Sequence, residues 1–290
     1  MDDATGVVII NYNAGDALLR SVAAALASDQ PLRLIVADNA STDGSGEKLR
    51  HLYAGEDRLE IRRNAHNLGF ARAVNACARS VAEPFLLILN PDCELAPGTL
   101  TELKKALQQD PQAALAAPRV VDSQGLVLRG TWRSFPEPWK ALMTASGLWR
   151  LGRWLPRLRG VESAAAELPH ETCRAEAVSG ACMLVRTSMF RHLGGFDEAF
   201  GLHFEDLDLM YRLRRQQHYC LYVPAASAIH HPGTSSRSRP WWVHRQKHLG
   251  MQRFFHKHYA DQYSRPGCCL MRAGIWLHYV LTLPMVWLRR

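Results

Sequence analysis

The densest group of ionisable side chains is Glu205-Asp206-Leu207-Asp208, three carboxylates within four residues, with Arg212 four positions beyond Asp208. That last spacing suits a helical ion pair. Crowded like charges raise a carboxyl pKa and an arginine partner lowers it, so the cluster can separate a proton acceptor from a structural anion. An acidic helix start stabilised by the helix dipole has the same composition. Asn90-Pro91-Asp92 follows the apolar run Phe85–Leu89. A carboxylate there suits a hard divalent cation bridging protein and diphosphate, and also an ordinary cap or turn. Asp38-Asn39-Ala40-Ser41-Thr42-Asp43-Gly44 could hydrogen-bond a pyrimidine or ribose, or form a plain Asx turn before a helix. Asn67-Leu68-Gly69-Phe70-Ala71-Arg72 opens a helical pattern, so its N–H groups and Arg72 could face a diphosphate; a simple N-cap is the alternative. His230-His231 precedes Pro232-Gly233-Thr234-Ser235, and a neutral imidazole there could complete a metal site or lie idle on the surface.

The elements that must carry these groups alternate. Gly6–Asn11, Leu32–Ala37, Leu59–Arg62, Phe85–Leu89 and Ala113–Val121 read as strands. Helical patterns run through Leu18, Leu19, Val22 and Leu26, over Phe70–Val81, and from Pro97 to about Leu107. Such alternation predicts an α/β fold with a mixed, mainly parallel, Rossmann-like sheet flanked by helices. Ligands of these sheets sit beyond the carboxyl ends of the strands. The clusters Asn11–Asn13, Asp38–Asp43 and Asn90–Asp92 fall at three such ends. Further on, Ala181–Val185 is strand-like, Gly194-Gly195 marks a turn, and a helix is expected near Asp206–Gln216.

Two segments break the pattern. Residues 129–160 hold seven Lys/Arg against one acid, and residues 237–290 hold ten against one, while the rest of the chain is net acidic beneath a total of +8. All eight tryptophans lie in these two segments. Arginine with tryptophan at the edge of apolar stretches suits an anionic membrane surface, because indole settles at headgroup depth. Nucleic acid is the rival partner for a basic surface, but no nucleic-acid motif accompanies it. Residues 129–172 read as an amphipathic helical insert or loop ending in the small-residue run Ser163–Ala166. Residues 237–290 read as a basic helical tail whose histidines mostly face the surface or lipid. The uncharged stretch Ala273–Leu288 falls short of the roughly 20 residues needed to span a bilayer, and Pro284 interrupts it, so a surface-lying or re-entrant anchor is expected. The seven cysteines are scattered with no CxxC pair, and no signal-peptide pattern opens the chain, which points to a reducing, cytoplasmic compartment.

Taken in order, Val8–Asn13, Asp38–Gly44, Asn67–Ala71, Asn90–Asp92, Ser179–Ala181, Gly194–Glu198, Glu205–Leu209 with Arg212, and His230–Ser235 resemble the family-2 glycosyltransferases of the GT-A fold. The likeness is to the bacterial rhamnosyltransferase-like branch that builds cell-envelope polysaccharides, and it covers about residues 5–236. The resemblance implies a domain over residues 1–236, with 129–172 inserted and 237–290 appended. It also implies transfer, with inversion, of a sugar from a nucleotide-diphosphate donor, dTDP-rhamnose or a UDP-sugar, to a glycan or polyprenyl-linked acceptor. Asn11, Tyr12, Asn13, Asp38, Asn39, Ser41 and Asp43 would bind the nucleotide, with Tyr12, Asp38 and Asp43 lining base and ribose. Asn67, Gly69, Phe70 and Arg72 would lie toward the diphosphate. Asn90 and Asp92 stand where the family often has two acids, so Mg2+ or Mn2+ would depend on Asp92, with His230 as a further ligand. Asp206 matches the base and Glu205 its neighbour. Ser179, Gly180 and Trp132 are candidates on the acceptor side. The enzyme would work on the inner face of the cytoplasmic membrane as a peripheral protein.

Two other readings share these features. A sugar-1-phosphate nucleotidyltransferase would also bind nucleotide at strand ends, but would be expected to carry a basic glycine-rich loop after the first strand. Asn11-Tyr12-Asn13-Ala14-Gly15-Asp16 contains no basic residue. A non-catalytic membrane- or nucleic-acid-binding protein with a degenerate nucleotide fold is the other, against which Asp92 and Asp206 stand intact.

Overall fold

The computed structural model describes residues 4–152, 154–161, 168–231 and 239–288. The Ser163–Ala166 run and Pro232–Ser235 lie outside the described residues. The chain runs β1 (Thr5–Asn11), α1 (Asp16–Leu26), β2 (Leu32–Asp38), α2 (Ser45–Leu52), β3 (Leu59–Arg63), α3 (Phe70–Ala78) and β4 (Phe85–Leu89). It continues through β5 (Cys93–Leu95), α4 (Thr99–Gln109), β6 (Ala113–Val121), β7 (Trp132–Arg133), α5 (Pro138–Ser146), β8 (Cys173–Ala175), β9 (Ala177–Val178) and β10 (Cys182–Arg186). It ends with α6 (Thr187–His192), α7 (Glu205–Arg215), β11 (Tyr219–His230), α8 (Pro240–His258) and α9 (Arg265–Leu288).

Among the described residues the main sheet has the order β3-β2-β1-β4-β10-β6-β11-β5, with β8 beside β11. Strands β1 to β4 pair in parallel, β10 is antiparallel to both β4 and β6, and β11 is parallel to β6. The carboxyl ends of β1, β2, β4 and β11 and the amino end of β10 therefore share one edge. Helices cover both faces, which is why these strands are apolar on both sides. Val8, Ile10, Ile35, Ala37, Leu86 and Ile88 enter one core with α3, α7 and α8. Val7, Ile9, Leu34, Val36, Leu87 and Leu89 enter another with α1 and α4. The alternation of neighbours between the two cores is the period-two geometry of a strand.

Outside the repeating half, the structure differs from the sequence-based expectation. The insert is not wholly helical: it opens with β7, which pairs antiparallel with β9, before α5 and two short 3-10 turns. The tail is helical, and α8 buries Phe254 and Phe255 in the core that also holds α7. Its histidines do not mostly face outward. His248 is 1% exposed and His258 8%, because α8 packs one face on α7 and another on α9. Helix α9 starts at Arg265, eight residues before the uncharged stretch, and runs through Pro284. Over Arg265–Trp287 it is long and apolar enough to cross a membrane by length and composition.

Candidate functional site

The shared sheet edge gathers the polar clusters. Asn11, fully buried at the end of β1, places Nδ2 within 2.9–3.0 Å of Asp38 Oδ1, Ser41 Oγ and Ser45 Oγ. Ser41 Oγ also accepts the Asn13 N–H at 3.0 Å, and Asn13 Oδ1 accepts the Thr42 N–H at 2.8 Å. The loops after β1 and β2 thus form one hydrogen-bonded body. Asp43 closes it by accepting the Gly15 N–H at 2.8 Å and the Ser45 hydroxyl at 2.6 Å. Burial pushes the Asp43 carboxyl up, but the bonds from Ser45 and Gly15 outweigh it and hold the group below its usual range. Asn39 reaches the next cluster: its Nδ2 donates to the Gly69 carbonyl at 3.3 Å, and its Oδ1 accepts from Asn64 at 2.7 Å. Tyr12 lies just beyond β1, with the Arg239 guanidinium 5.9 Å from its ring centre.

Asn67 and Arg72 are engaged locally. Asn67 Oδ1 accepts the Gly69 N–H at 2.8 Å, so the side chain caps the turn before α3, and Gly69 supplies the positive φ of 82° that turn requires. Phe70 packs against Phe196 with ring centres 5.9 Å apart, and Arg72 pairs with Glu198 at 3.3 Å. The Gly194–Glu198 segment is clasped by Asn75 on α3, which accepts the Phe196 N–H and donates to the Phe196 carbonyl, both at 2.9 Å. A Cβ on Gly195 would stand 2.3 Å from Asn75 Oδ1, so glycine is required there. Asn75 was legible in principle, as a polar residue among Ala71, Ala73, Val74, Cys77 and Ala78 on a core-facing helix.

On the other side of β1, Asn90 donates its N–H to the Ala181 carbonyl at 2.9 Å and accepts the Cys93 N–H at 3.1 Å, turning the chain through Pro91 and Asp92 into β5. Pairing of β5 with β11 sets Cys93 opposite His230. The carboxylate of Asp92, 6% exposed, consequently lies beside that imidazole, Oδ1 to Nε2 3.1 Å. The Asp92 carbonyl accepts the His231 N–H at 2.9 Å, while the His231 ring turns to Glu94 at 3.2 Å. His230, not His231, therefore faces Asp92. No group of three or more His, Cys, Asp or Glu poised for a metal occurs among the described residues. One buried carboxylate and one imidazole fit a cation that takes its remaining ligands from water and substrate phosphate.

Helix α7 brings the carboxylate cluster to this edge. Asp208 is fully buried and bound by Arg212 Nε at 2.8 Å, His258 Nε2 at 2.8 Å and Lys257 Nζ at 2.7 Å. Burial raises its pKa, but these partners win and hold it below the usual range, which makes it the structural anion. Glu205 is 7% exposed, its Oε2 has no hydrogen-bond partner, and burial with the Asp206 charge beside it pushes its carboxyl up to about 8. Asp206 is the half-buried member. Its Oδ1 accepts the Leu207 N–H at 2.8 Å, and its Oδ2 accepts from Arg133 Nη2 at 2.5 Å. Arg133 was missed in the sequence because β7 is only two residues long, too short for any pattern. The carboxylate rests against Gly180, whose absent Cβ would stand 2.6 Å from Oδ2. Ser179 Oγ accepts the Ala181 N–H at 3.3 Å, and Trp132 Nε1 is buried without a partner among the described residues.

Comparison with known proteins agrees with this architecture. The model of Glycosyl transferase family 2 matches residues 6–166. The N-acetylglucosaminyl-diphospho-decaprenol L-rhamnosyltransferase of Mycobacterium tuberculosis is 31% identical over 254 residues, 83% of this chain and 80% of that relative. Rhamnosyltransferase WbbL of Escherichia coli is 25% identical over 239 residues, 80% of this chain and 85% of that relative. Among solved structures, mannosyltransferase PcManGT from Pyrobaculum calidifontis, in complex with GDP-Man and Mn2+, superposes with a TM-score of 0.62 at 17% identity, covering 99% of this chain and 73% of that one. The sheet order, the motifs at its shared edge and the match over more than half the sequence lead to one conclusion: this chain belongs to glycosyl transferase family 2 and has the GT-A fold.

Proposed function

We propose that this glycosyltransferase is a metal-dependent, inverting L-rhamnosyltransferase, using dTDP-rhamnose and a sugar carried on a polyprenyl diphosphate at the inner face of the cytoplasmic membrane. One structural connection carries the reading. The Ala181 carbonyl holds Asn90, two residues before Asp92, while Gly180, the residue before Ala181, seats Asp206. In this reading the cation ligands Asp92 and His230 and the proton acceptor Asp206 lie at one end of the β4–β10 pair. The rhamnosyl donor and lipid-linked acceptor are supported by the names of the relatives from M. tuberculosis and E. coli.

In this reading the loops after β1 and β2 hold the nucleotide through Tyr12, Asp38 and Asp43, and the start of α3 lies toward the diphosphate. Asp206 takes the proton of the acceptor hydroxyl as its oxygen attacks the anomeric carbon; the bond to the diphosphate breaks on the opposite face, so configuration inverts. Asp92 and His230 would hold Mg2+ or Mn2+, which supplies Lewis-acid stabilisation of the departing diphosphate. Asp208, held by Arg212, Lys257 and His258, is unsuited to accept a proton. Glu205 favours its protonated form at neutral pH and so adds no second negative charge beside the base.

The deciding experiment is transfer from dTDP-rhamnose to N-acetylglucosaminyl-diphospho-polyprenol in detergent with Mn2+, with the product anomer read by NMR. An inverted product from the wild type, with turnover reduced about 10²–10⁴-fold in Asp206→Asn, is expected. A retained configuration, or full turnover of that variant, would refute the mechanism.

A further inference from the structure

We infer that Arg133 is a positioning residue for the proton acceptor, supplied by the insert; the inference rests on reading Asp206 as the base. Strand β7 is short, yet its pairing is specific: Trp132 lies opposite Val178 and Arg133 opposite Ala177. That register carries the Arg133 guanidinium to Asp206, where Nη2 donates to Oδ2 at 2.5 Å and to the Val178 carbonyl at 3.2 Å. The two side chains are 19% and 17% exposed, so solvent weakens this contact less than it would a surface pair. No other Lys or Arg pairs with Asp206 among the described residues.

The two oxygens of Asp206 are thereby held from different elements, Oδ1 by the first turn of α7 and Oδ2 by the insert. Each carboxylate oxygen has a second lone pair, so the acceptor hydroxyl meets an oxygen of set direction. Gly180 leaves no side chain beneath it and Arg133 prevents it from turning away. The Nε of the same guanidinium is buried and has no acceptor among the described residues. Unpartnered buried donors are uncommon, and a substrate oxygen would satisfy this one. The same insert exposes Trp139 and Trp154, so the segment that holds the base is also the one with the most exposed indole.

The test compares Arg133→Ala, Arg133→Lys and Asp206→Asn in steady-state transfer, with melting temperature measured alongside. Arg133→Ala should lower kcat about 10- to 100-fold with the donor KM unchanged, the scale of one charge-assisted hydrogen bond. Added guanidinium ion should restore part of that loss in Arg133→Ala and none in Asp206→Asn. Should Arg133→Ala fail to fold, Arg133→Lys decides: it keeps stem and charge but not the planar fork, and wild-type turnover from it would overturn the inference. So would full turnover of Arg133→Ala, or a loss that guanidinium does not relieve in a protein of unchanged melting temperature. Full turnover of Asp206→Asn would instead sink the base assignment itself.

Discussion

The carboxylate of Asp206 sits where the side chain of residue 180 would be: a Cβ on Gly180 would lie 2.6 Å from Asp206 Oδ2 and 2.9 Å from its Cβ. Contacts that short do not occur, so Gly180→Ala must move the carboxylate or bend the strand start. A displacement of about 1 Å at a reacting group can reduce rate by about 10²-fold. Gly180→Ala should therefore lose turnover on that scale while nucleotide-sugar affinity, measured by calorimetry, stays at the wild-type value. Wild-type turnover would show that Asp206 is not the group whose position matters.

The parallel half of the fold was readable because its signals are local. Phe85–Leu89 is a continuous apolar run between turn residues, and Val7–Ile10 feeds both cores by strict alternation. The Asp208–Arg212 ion pair followed from spacing alone and is present at 2.8 Å. What escaped depends on pairing between distant segments. Strand β11 carries His230, but Pro224 and a register shift between Val223 and Ser227 interrupt its pattern. Arg133 reaches Asp206 only because β7 pairs with β9, and two residues carry no periodicity. The sequence understates the Arg265–Leu288 helix because Arg265 and Arg272 punctuate its first half, although the backbone passes both without a break.

Asp92 and His230 are 3.1 Å apart and separated by 138 residues, a juxtaposition made by the β5–β11 pairing. If the pair holds the cation that meets the diphosphate, Asp92→Ala should weaken Mn2+-dependent binding of dTDP by about tenfold or more, and His230→Ala by less. Binding measured in chelator should be the same for all three proteins. Unaltered affinity of Asp92→Ala in Mn2+ would remove the metal assignment.

Glu205 gives a pH signature. Its carboxyl is pushed up from 4.5 to about 8 by burial and by Asp206, with Arg133 acting weakly the other way. The folded state therefore binds a proton that the unfolded chain has released. Stability contributed by the protonated form is complete below about pH 4.5 and is lost as pH rises toward about 8, by up to about 1.4 kcal/mol per pH unit. Glu205→Gln, which mimics the protonated acid, should be stabilised relative to the wild type at pH 8 and nearly level with it at pH 5. Parallel urea-stability curves for the two proteins between those values would contradict the burial argument.

The exposed apolar side chains are the motive for proposing a lipid surface as partner. Trp154 and Leu155 of the insert are 72% and 57% exposed, and Leu281 and Trp287 of α9 are 64% exposed. With the basic residues of both segments, they should carry the protein to the top of a gradient with phosphatidylglycerol vesicles and less with phosphatidylcholine, the difference shrinking as salt rises. A Trp154→Ser/Leu155→Ser pair should reduce binding at least about tenfold, since each large apolar side chain contributes about 1.5–3 kcal/mol when buried. Equal flotation with both lipids would remove the electrostatic part of the membrane reading.

Asp208 tests whether the acidic cluster divides its labour. It is fully buried and binds Arg212, His258 and Lys257, so it joins α7 to α8 and orients the turn that presents Asp206. Its folded pKa lies below the ordinary value, so the stability it contributes is present above about pH 4 and is lost as pH falls through the folded value. Asp208→Asn keeps the shape but leaves the Arg212 and His258 donors facing an uncharged amide. Removing one partner of a buried pair costs about 3–5 kcal/mol, and a loss in that range is expected in urea denaturation at pH 7. Asp206→Asn should change stability less, because that carboxylate, 17% exposed, pairs with Arg133 alone among the described residues, yet it should abolish most turnover. If the two variants instead exchanged these effects, Asp208 accepting the proton and Asp206 holding the fold, the assignment of roles along α7 would have to be reversed.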